Sequence, residues 1–207
     1  MPEAGRDRSS GTLGNIDPMK HFTTFLMPVF LVGFLVGCGR STPVTPQGRL
    51  NAASEELAKA KTDQERFYAL NDAAKESFVL GKTEDARTYA NNLLALLPKF
   101  PNDWNYGNAV QDANLVLGRI AVQEGRLEDA KRHLLEAGKS PGSPQMNSFG
   151  PNMSLAKDLL EKGERNVVLE HFELCRKFWK MDRGRLDQWS QDVKAGKIPD
   201  FGANLVY

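Results

Sequence analysis

Few side chains in this sequence have the types and spacing that a metal site, a phosphate-binding loop or a catalytic site requires. His171 and Cys175 lie four residues apart, so on a helix they share one face and can begin a metal site. The sequence contains no second pair of histidine or cysteine side chains at such a spacing, and burial in a core is the better interpretation of Cys175. Gly138-Lys139-Ser140 has the residues that end a phosphate-binding loop. However, His133 stands where that loop needs glycine, and Pro141 follows where it needs a helix. We therefore expect no metal and no bound cofactor.

Catalytic constellations are also missing from the sequence. The three histidines are His21, His133 and His171, and no nucleophile with a neighbouring base accompanies them. The carboxylates alternate with basic residues, a pattern typical of solvated helix faces. A pair of acids that hydrolyses a glycan is not excluded, because the distance between two carboxylates cannot be read from a sequence. The expectation is a protein without enzymatic activity.

The composition excludes several classes of protein. Lysine and arginine number 27 against 26 aspartates and glutamates, so the positive excess typical of a nucleic-acid-binding domain is absent. Apolar residues make up 41% of the chain, which argues against wholesale disorder. Two cysteines are too few for a disulfide scaffold or a multi-cysteine metal site.

The remaining cysteine, Cys38, directly follows an apolar segment. Residues 25–36 are too short for a spanning helix, which needs about 20 apolar residues, and they fit the hydrophobic region of a secretory signal. The motif Leu35-Val36-Gly37-Cys38 resembles a bacterial lipobox. The resemblance implies that the thiol of Cys38 carries a diacylglycerol and that residues 1–37 are a signal peptide removed before it. Met19 is an alternative start of translation.

The lipobox resemblance also implies a location. Acyl chains hold a protein in a bilayer because each buried CH₂ contributes about 0.8 kcal/mol. Gly39 stands where an aspartate would favour the inner membrane, so we expect an outer-membrane lipoprotein of a bacterial envelope that faces the periplasm. Residues 38–50 are predicted to be the lipidated N-terminus and a flexible tether, since this polar segment contains prolines and few core residues.

Residues 51–196 are predicted to form one all-α domain. They are rich in strong helix formers, and no segment has the alternation of a strand. Three glycines, Gly81, Gly125 and Gly163, align with small or apolar residues at fixed distances on both sides. A glycine at a turn between two helices supplies the positive φ that such a turn needs. The alignment therefore predicts three helical hairpins.

The aligned hairpins resemble the tetratricopeptide repeat, a helix–turn–helix unit of about 34 residues. The best copy runs from Leu117 to Ala137, and the resemblance covers about residues 70–178. It implies a solenoid of about three repeats, closed by a capping helix near residues 182–193 and followed by a tail over residues 197–207. The alternative interpretation is an irregular helical bundle.

In the repeat family, the first helix of each unit lines a concave groove. Alignment on the glycines maps a polar and basic set to that face: Asn71, Lys75, Arg119, Gln123 and Lys157. These residues either bind an acidic or extended peptide segment or form an ordinary wetted helix surface. The second interpretation is the simpler one.

Two insertions separate the hairpins, because the glycines are 44 and 38 residues apart. They carry aromatic and amide side chains: Trp104, Tyr106, Asn147, Phe149 and Asn152. Such side chains suit protein contacts or sugar stacking, although plugging gaps between helix pairs is the favoured interpretation of the aromatics. Together the features predict a lipid-anchored module that docks another envelope protein. The alternatives are an envelope enzyme acting on cell-wall glycan and a receptor with a closed small-ligand pocket.

Overall fold

The computed structural model describes residues 45–206, and every regular element in this range is helical. The helices are α1 (Pro46–Lys59), α2 (Asp63–Val79), α3 (Thr83–Leu96), α4 (Tyr106–Gln123), α5 (Leu127–Gly138), α6 (Pro144–Phe149), α7 (Ser154–Glu161), α8 (Arg165–Cys175) and α9 (Arg185–Lys194). Short 3-10 turns follow α3 at Leu97–Lys99 and α9 at Gly202–Leu205. The all-α prediction is confirmed for this part of the chain. Among these helices, none has both the length and the apolar character to cross a membrane.

The predicted signal peptide over residues 1–37 and the lipidation site Cys38 lie outside the described residues. The first helix, in contrast, begins inside the predicted tether. The side chain of Thr45 accepts a hydrogen bond from the backbone of Gly48, and Pro46 occupies the first helical turn, where proline is tolerated. Leu50 is buried against α2. The tether prediction is therefore wrong from Pro46 onward, because this proline starts a helix.

The three aligned glycines all lie in turns between helices. Gly81 joins α2 to α3, Gly125 joins α4 to α5, and Gly163 joins α7 to α8, with φ values of 72°, 74° and 85°. After each glycine, the next backbone N–H donates to the carbonyl five residues earlier, as Lys82 does to Ser77 at 2.8 Å. A Cβ atom at any of the three glycines would meet nothing within 4 Å. Backbone conformation alone therefore requires glycine there, and the predicted turns are confirmed.

The hairpins pack through the small and apolar residues that the glycine alignment identified. All twelve aligned positions are buried: Ala74, Gly118, Ala156, Ala86, Ala130, Val168, Ala90, Leu134, Phe172, Leu93, Ala137 and Cys175. The first helices of successive hairpins contact one another, α2 with α4 and α4 with α7. A Cβ at Gly118 would lie 2.3 Å from a methyl carbon of Leu155, so α4 and α7 approach closely at this point.

The C-terminal end of the domain is packed. Helix α9 contacts α8, and the predicted capping helix is present at nearly the predicted position. Beyond it, Phe201 is buried, with its ring edge-on to Trp189 at 4.9 Å between centroids. The segment predicted as a tail beyond the domain thus packs on the core through Phe201 and Asn204, while Val206 at its end is exposed.

Candidate binding groove

An open groove of about 810 Å³ runs along the face formed by α2 and α4. Its walls come from four parts of the chain: α2, residues 104–112, residues 145–152 and the C-terminal residues 181–206. Both insertions between the hairpins therefore contribute to one site, together with the C-terminal segment. We call it the α2–α4 groove.

Buried amide groups without hydrogen-bond partners lie in the α2–α4 groove. The atoms are Asn71 Oδ1, Gln111 Nε2 and Asn152 Nδ2. These three residues are only 7%, 3% and 8% exposed. A buried polar atom that lacks a partner costs about 1–3 kcal/mol, so the groove contains hydrogen-bonding capacity that the protein itself does not use.

The rim of the groove is apolar and exposed. Four of the six large apolar side chains that are exposed in the described residues line it, namely Trp104, Phe149, Met181 and Val206. Trp104 is 58% exposed and Phe149 is 75% exposed. The favoured interpretation, that these aromatics plug gaps between helix pairs, is therefore wrong. Apolar side chains gathered in this way mark interaction surfaces.

The ring of Trp104 is held in place by its neighbour. It stacks on Tyr68 with 6.1 Å between centroids and an interplanar angle of 25°. The hydroxyl of Tyr68 donates to Asp103 Oδ2 at 2.6 Å, and this hydrogen bond raises the pKa of Tyr68. Asp103 thus fixes Tyr68, and Tyr68 supports one face of the indole. The exposed part of the indole remains accessible to a ligand.

Lys75 occupies the groove but is paired within the protein. Its ammonium lies 3.2 Å from Asp72 and 3.2 Å from Asp112. Burial lowers the pKa of Lys75, but the two carboxylates outweigh this and raise the pKa above its ordinary value. Lys75 is therefore charged, and the two carboxylates together more than balance its charge. Its predicted role as a cation for ligand carboxylates is disfavoured.

The other predicted first-helix residues do not reach the groove. Arg119 donates to Asp158 Oδ2 at 2.7 Å, which ties α4 to α7, and Lys157 pairs with Glu161 at 3.3 Å. Gln123, at the end of α4, also lies outside it. Of the five residues that the alignment mapped to a groove, only Asn71 and Lys75 line the α2–α4 groove. For Arg119 and Lys157, the structure agrees better with an ordinary helix surface than with a peptide-binding face, since both form ion pairs within the domain.

Two of the residues predicted to bind a partner, Tyr106 and Asn147, contact other parts of the domain and do not line the groove. Tyr106 begins α4, packs partly buried against the core of α2, α3 and α4, and lines a different surface hollow. Asn147 Oδ1 accepts a hydrogen bond from the backbone of Lys180 at 3.0 Å, which ties α6 to the segment after α8. Asn152, by contrast, reaches the groove.

Sequence reasoning missed Asn204, which builds one wall of the groove. Its side-chain Nδ2 donates to the carbonyls of Phe149 at 3.0 Å and Pro151 at 2.9 Å. Its own carbonyl accepts from the backbone of Met153 at 2.7 Å. These bonds hold the segment that carries Phe149 and Asn152. No local signal identifies this role, because the partners lie about fifty residues away in the sequence.

Arg183 and Arg185 were also missed. Both line the groove, and neither forms an ion pair with another described residue. Arg185 lies 5.8 Å from the ring centroid of Trp179, and Arg183 has a positive φ of 54°. The sequence signal is the exposed Arg-Gly-Arg turn before α9. These two side chains, and not the mapped first-helix cations, bring uncompensated positive charge to the groove.

His171 and Cys175 form a buried pair in the core. The ring Nδ1 of His171 donates to the carbonyl of Leu134 at 3.0 Å, which leaves Nε2 to accept from the thiol of Cys175 at 3.4 Å. Burial lowers the pKa of His171 to about 4 and raises the pKa of the Cys175 thiol. Both groups are therefore neutral, and packing is confirmed as the role of Cys175. No cluster of three metal-ligating side chains occurs in residues 45–206.

Comparison with known protein families, characterised proteins and solved structures finds no match to this chain.

Proposed function

We propose that this protein is a lipid-anchored envelope lipoprotein that docks a partner protein in the α2–α4 groove. The observation that carries the proposal is the combination of three unpartnered buried amides with four exposed apolar side chains around one groove. Apolar and aromatic anchors supply most of the energy of protein interfaces, while buried polar groups supply specificity.

The location rests on the N-terminal sequence. The lipobox-like Leu35-Val36-Gly37-Cys38 supports acylation at Cys38, and Gly39 supports the outer membrane with the domain in the periplasm. The domain begins at Pro46, so only a few residues would separate the lipid from α1. The docking surface would then operate close to the membrane.

The architecture that we propose is a solenoid like that of tetratricopeptide repeats. Three hairpins with positive-φ glycine turns, first helices in contact and buried small residues at equivalent positions support it. A solenoid exposes a continuous groove along its first helices, which suits an extended segment of another chain. Acidic residues of that segment would meet Arg183 and Arg185.

A glycan is the second candidate ligand for the groove. Exposed Trp104 and Phe149 provide apolar ring faces, and the neighbouring amides provide hydrogen bonds of the kind that sugars use. Peptide is preferred because Met181 and Val206 extend the rim with aliphatic groups, which pack better against apolar side chains. A receptor with a closed pocket is disfavoured because this groove is open.

Site-specific photo-crosslinking in living cells tests the proposal. A photoreactive residue replaces Ser148, which is exposed in the groove, and in a matched control it replaces Lys162, which is exposed outside it. We expect adducts with one reproducible polypeptide from position 148 only. Equal adducts from both positions, or adducts with glycan alone, would contradict protein docking at this site.

A further inference from the structure

We infer that the α2–α4 groove recognises the main chain of an extended peptide through its three unpartnered amide groups. Asn71 Oδ1 accepts from a peptide N–H, while Gln111 Nε2 and Asn152 Nδ2 donate to peptide carbonyls. This inference rests on the proposed function and specifies the chemistry of the segment that docks.

The atom types match a peptide backbone. Asn71 Oδ1 is an acceptor without a donor, whereas Gln111 Nε2 and Asn152 Nδ2 are donors without an acceptor. An extended chain presents N–H and C=O groups along its length and so satisfies both kinds of atom. A ligand that offers only acceptors, such as a phosphate, satisfies the two donors and leaves Asn71 Oδ1 unpaired.

The orientation of one amide is fixed by the fold. Asn152 Oδ1 accepts a hydrogen bond from the backbone N–H of Ser154 at 2.8 Å, at the start of α7. Rotation of the amide to exchange its two ends would lose that bond. Nδ2 therefore remains the end that is unpartnered in the groove, and it is a donor before any ligand arrives. Such preorganisation lowers the entropy lost on binding.

The buried part of the groove is electrically neutral towards a ligand. The largely buried ammonium of Lys75 and the buried carboxylate of Asp112 lie 3.2 Å apart and compensate one another, while the second carboxylate, that of Asp72, is exposed to solvent. The buried groups that remain without partners are carboxamides, which pair with uncharged backbone without the desolvation penalty of a new ion pair. Neutral backbone is therefore a better match than a charged side chain at this depth.

The apolar rim accounts for the side chains of the same peptide. In an extended chain, successive side chains point to opposite sides. When the backbone bonds to the amides, alternate side chains face the rim formed by Trp104, Phe149, Met181 and Val206. Aromatic and thioether side chains adapt to many apolar partners. The groove is thus specific for an extended segment with spaced apolar residues and tolerant of their identity.

Backbone methylation of bound peptides tests this inference. Short random peptides are selected on the full-length chain in detergent, and an enriched peptide is resynthesised with single N-methyl groups along its backbone. Its affinity for each protein variant is then measured by fluorescence anisotropy. One N-methyl position should weaken binding about threefold to tenfold, the equivalent of one hydrogen bond.

A double-mutant comparison assigns that hydrogen bond. In Asn71→Ala the sensitive N-methyl group should have almost no further effect, because its acceptor is already absent. Asn91→Ala removes an exposed amide on α3 outside the groove and should retain the full sensitivity. Gln111→Met should weaken the unmethylated peptide about threefold or more. Circular dichroism verifies that each variant is folded.

The possible failures are distinguishable. If enriched peptides lose binding in Trp104→Ala, yet N-methylation has the same effect in wild type and Asn71→Ala, then main-chain recognition is wrong and docking in the groove stands. If no enriched peptide responds to Trp104→Ala, both proposals are wrong. Binding of glycans but not peptides on arrays would also overturn both.

Discussion

Replacing Gln111 by methionine should make the unliganded protein more stable, which is unusual for a buried position. The side chain is 3% exposed, and its Nε2 has no hydrogen-bond partner. Methionine has nearly the same length and no polar hydrogen to satisfy. The substitution therefore removes an uncompensated donor without opening a cavity.

The size of the gain follows from the cost of the unpaired donor. A desolvated donor without a partner costs about 1–3 kcal/mol, and the lower end applies here because methionine also removes the carbonyl of Gln111, which is not among the buried atoms without a partner. We expect a gain of about 1 kcal/mol in the free energy of unfolding. For a domain of this size, that corresponds to a rise in Tm of about 2–4 °C.

Asn114 on the same helix provides a matched control. It is also buried, but both ends of its amide are bonded: Nδ2 donates to the carbonyl of Val110 at 2.8 Å, and Oδ1 accepts from His133 Nδ1 at 2.8 Å. The carbonyl of Val110 keeps its backbone bond within α4, but Asn114→Leu leaves His133 Nδ1 without its acceptor and should cost about 1–3 kcal/mol. The two substitutions on α4 should therefore shift stability in opposite directions.

Thermal and urea unfolding followed by circular dichroism measure both variants. If Gln111→Met lowers the free energy of unfolding as much as Asn114→Leu does, the amide of Gln111 is a structural group with a partner. The groove would then hold no unused hydrogen-bonding capacity at this position. A stabilised variant that also loses peptide affinity shows that the orphan donor is maintained for binding.

Three further predictions concern other parts of the chain. Cys38→Ser should move the protein from the membrane to the soluble fraction of cells with the domain still folded, and retention in membranes would contradict acylation. Gly125→Ala should destabilise the domain by about 1 kcal/mol, since its φ of 74° is strained for a residue with a side chain; an unchanged Tm would contradict the turn geometry. His171, with a pKa lowered to about 4 by burial, is neutral when folded but protonates below its ordinary pKa of 6.5 when unfolded. Stability from His171 is therefore complete above pH 6.5 and declines towards pH 4, by up to about 1.4 kcal/mol per pH unit. In His171→Met the pH slope of unfolding should be shallower by that amount, and an identical slope would contradict a buried neutral histidine.

Features that depend on neighbours in the chain were predicted correctly. Helical periodicity identified the all-α class, and the three glycines identified the turns, because a positive φ is a local requirement that glycine meets best. The aligned apolar positions are all buried for a related reason, since the repeat places each one on the same face of its helix. The start of α1 was missed because proline indicates both a linker and a first helical turn, and burial of Leu50 decides between them.

The α2–α4 groove depends on contacts between segments that are distant in the sequence. Its walls combine two insertions with the C-terminal segment, and Asn204 joins them across about fifty residues. Arg119 shows why mapping from one helix failed. Where α4 meets α7 beside Gly118, Arg119 pairs with Asp158 and so forms an ion pair instead of entering the groove. Sequence determined which faces of the helices are apolar, because side-chain direction repeats with the helical turn. Tertiary structure alone decided which buried polar groups are paired and which lack a partner, because pairing depends on the neighbours that packing supplies.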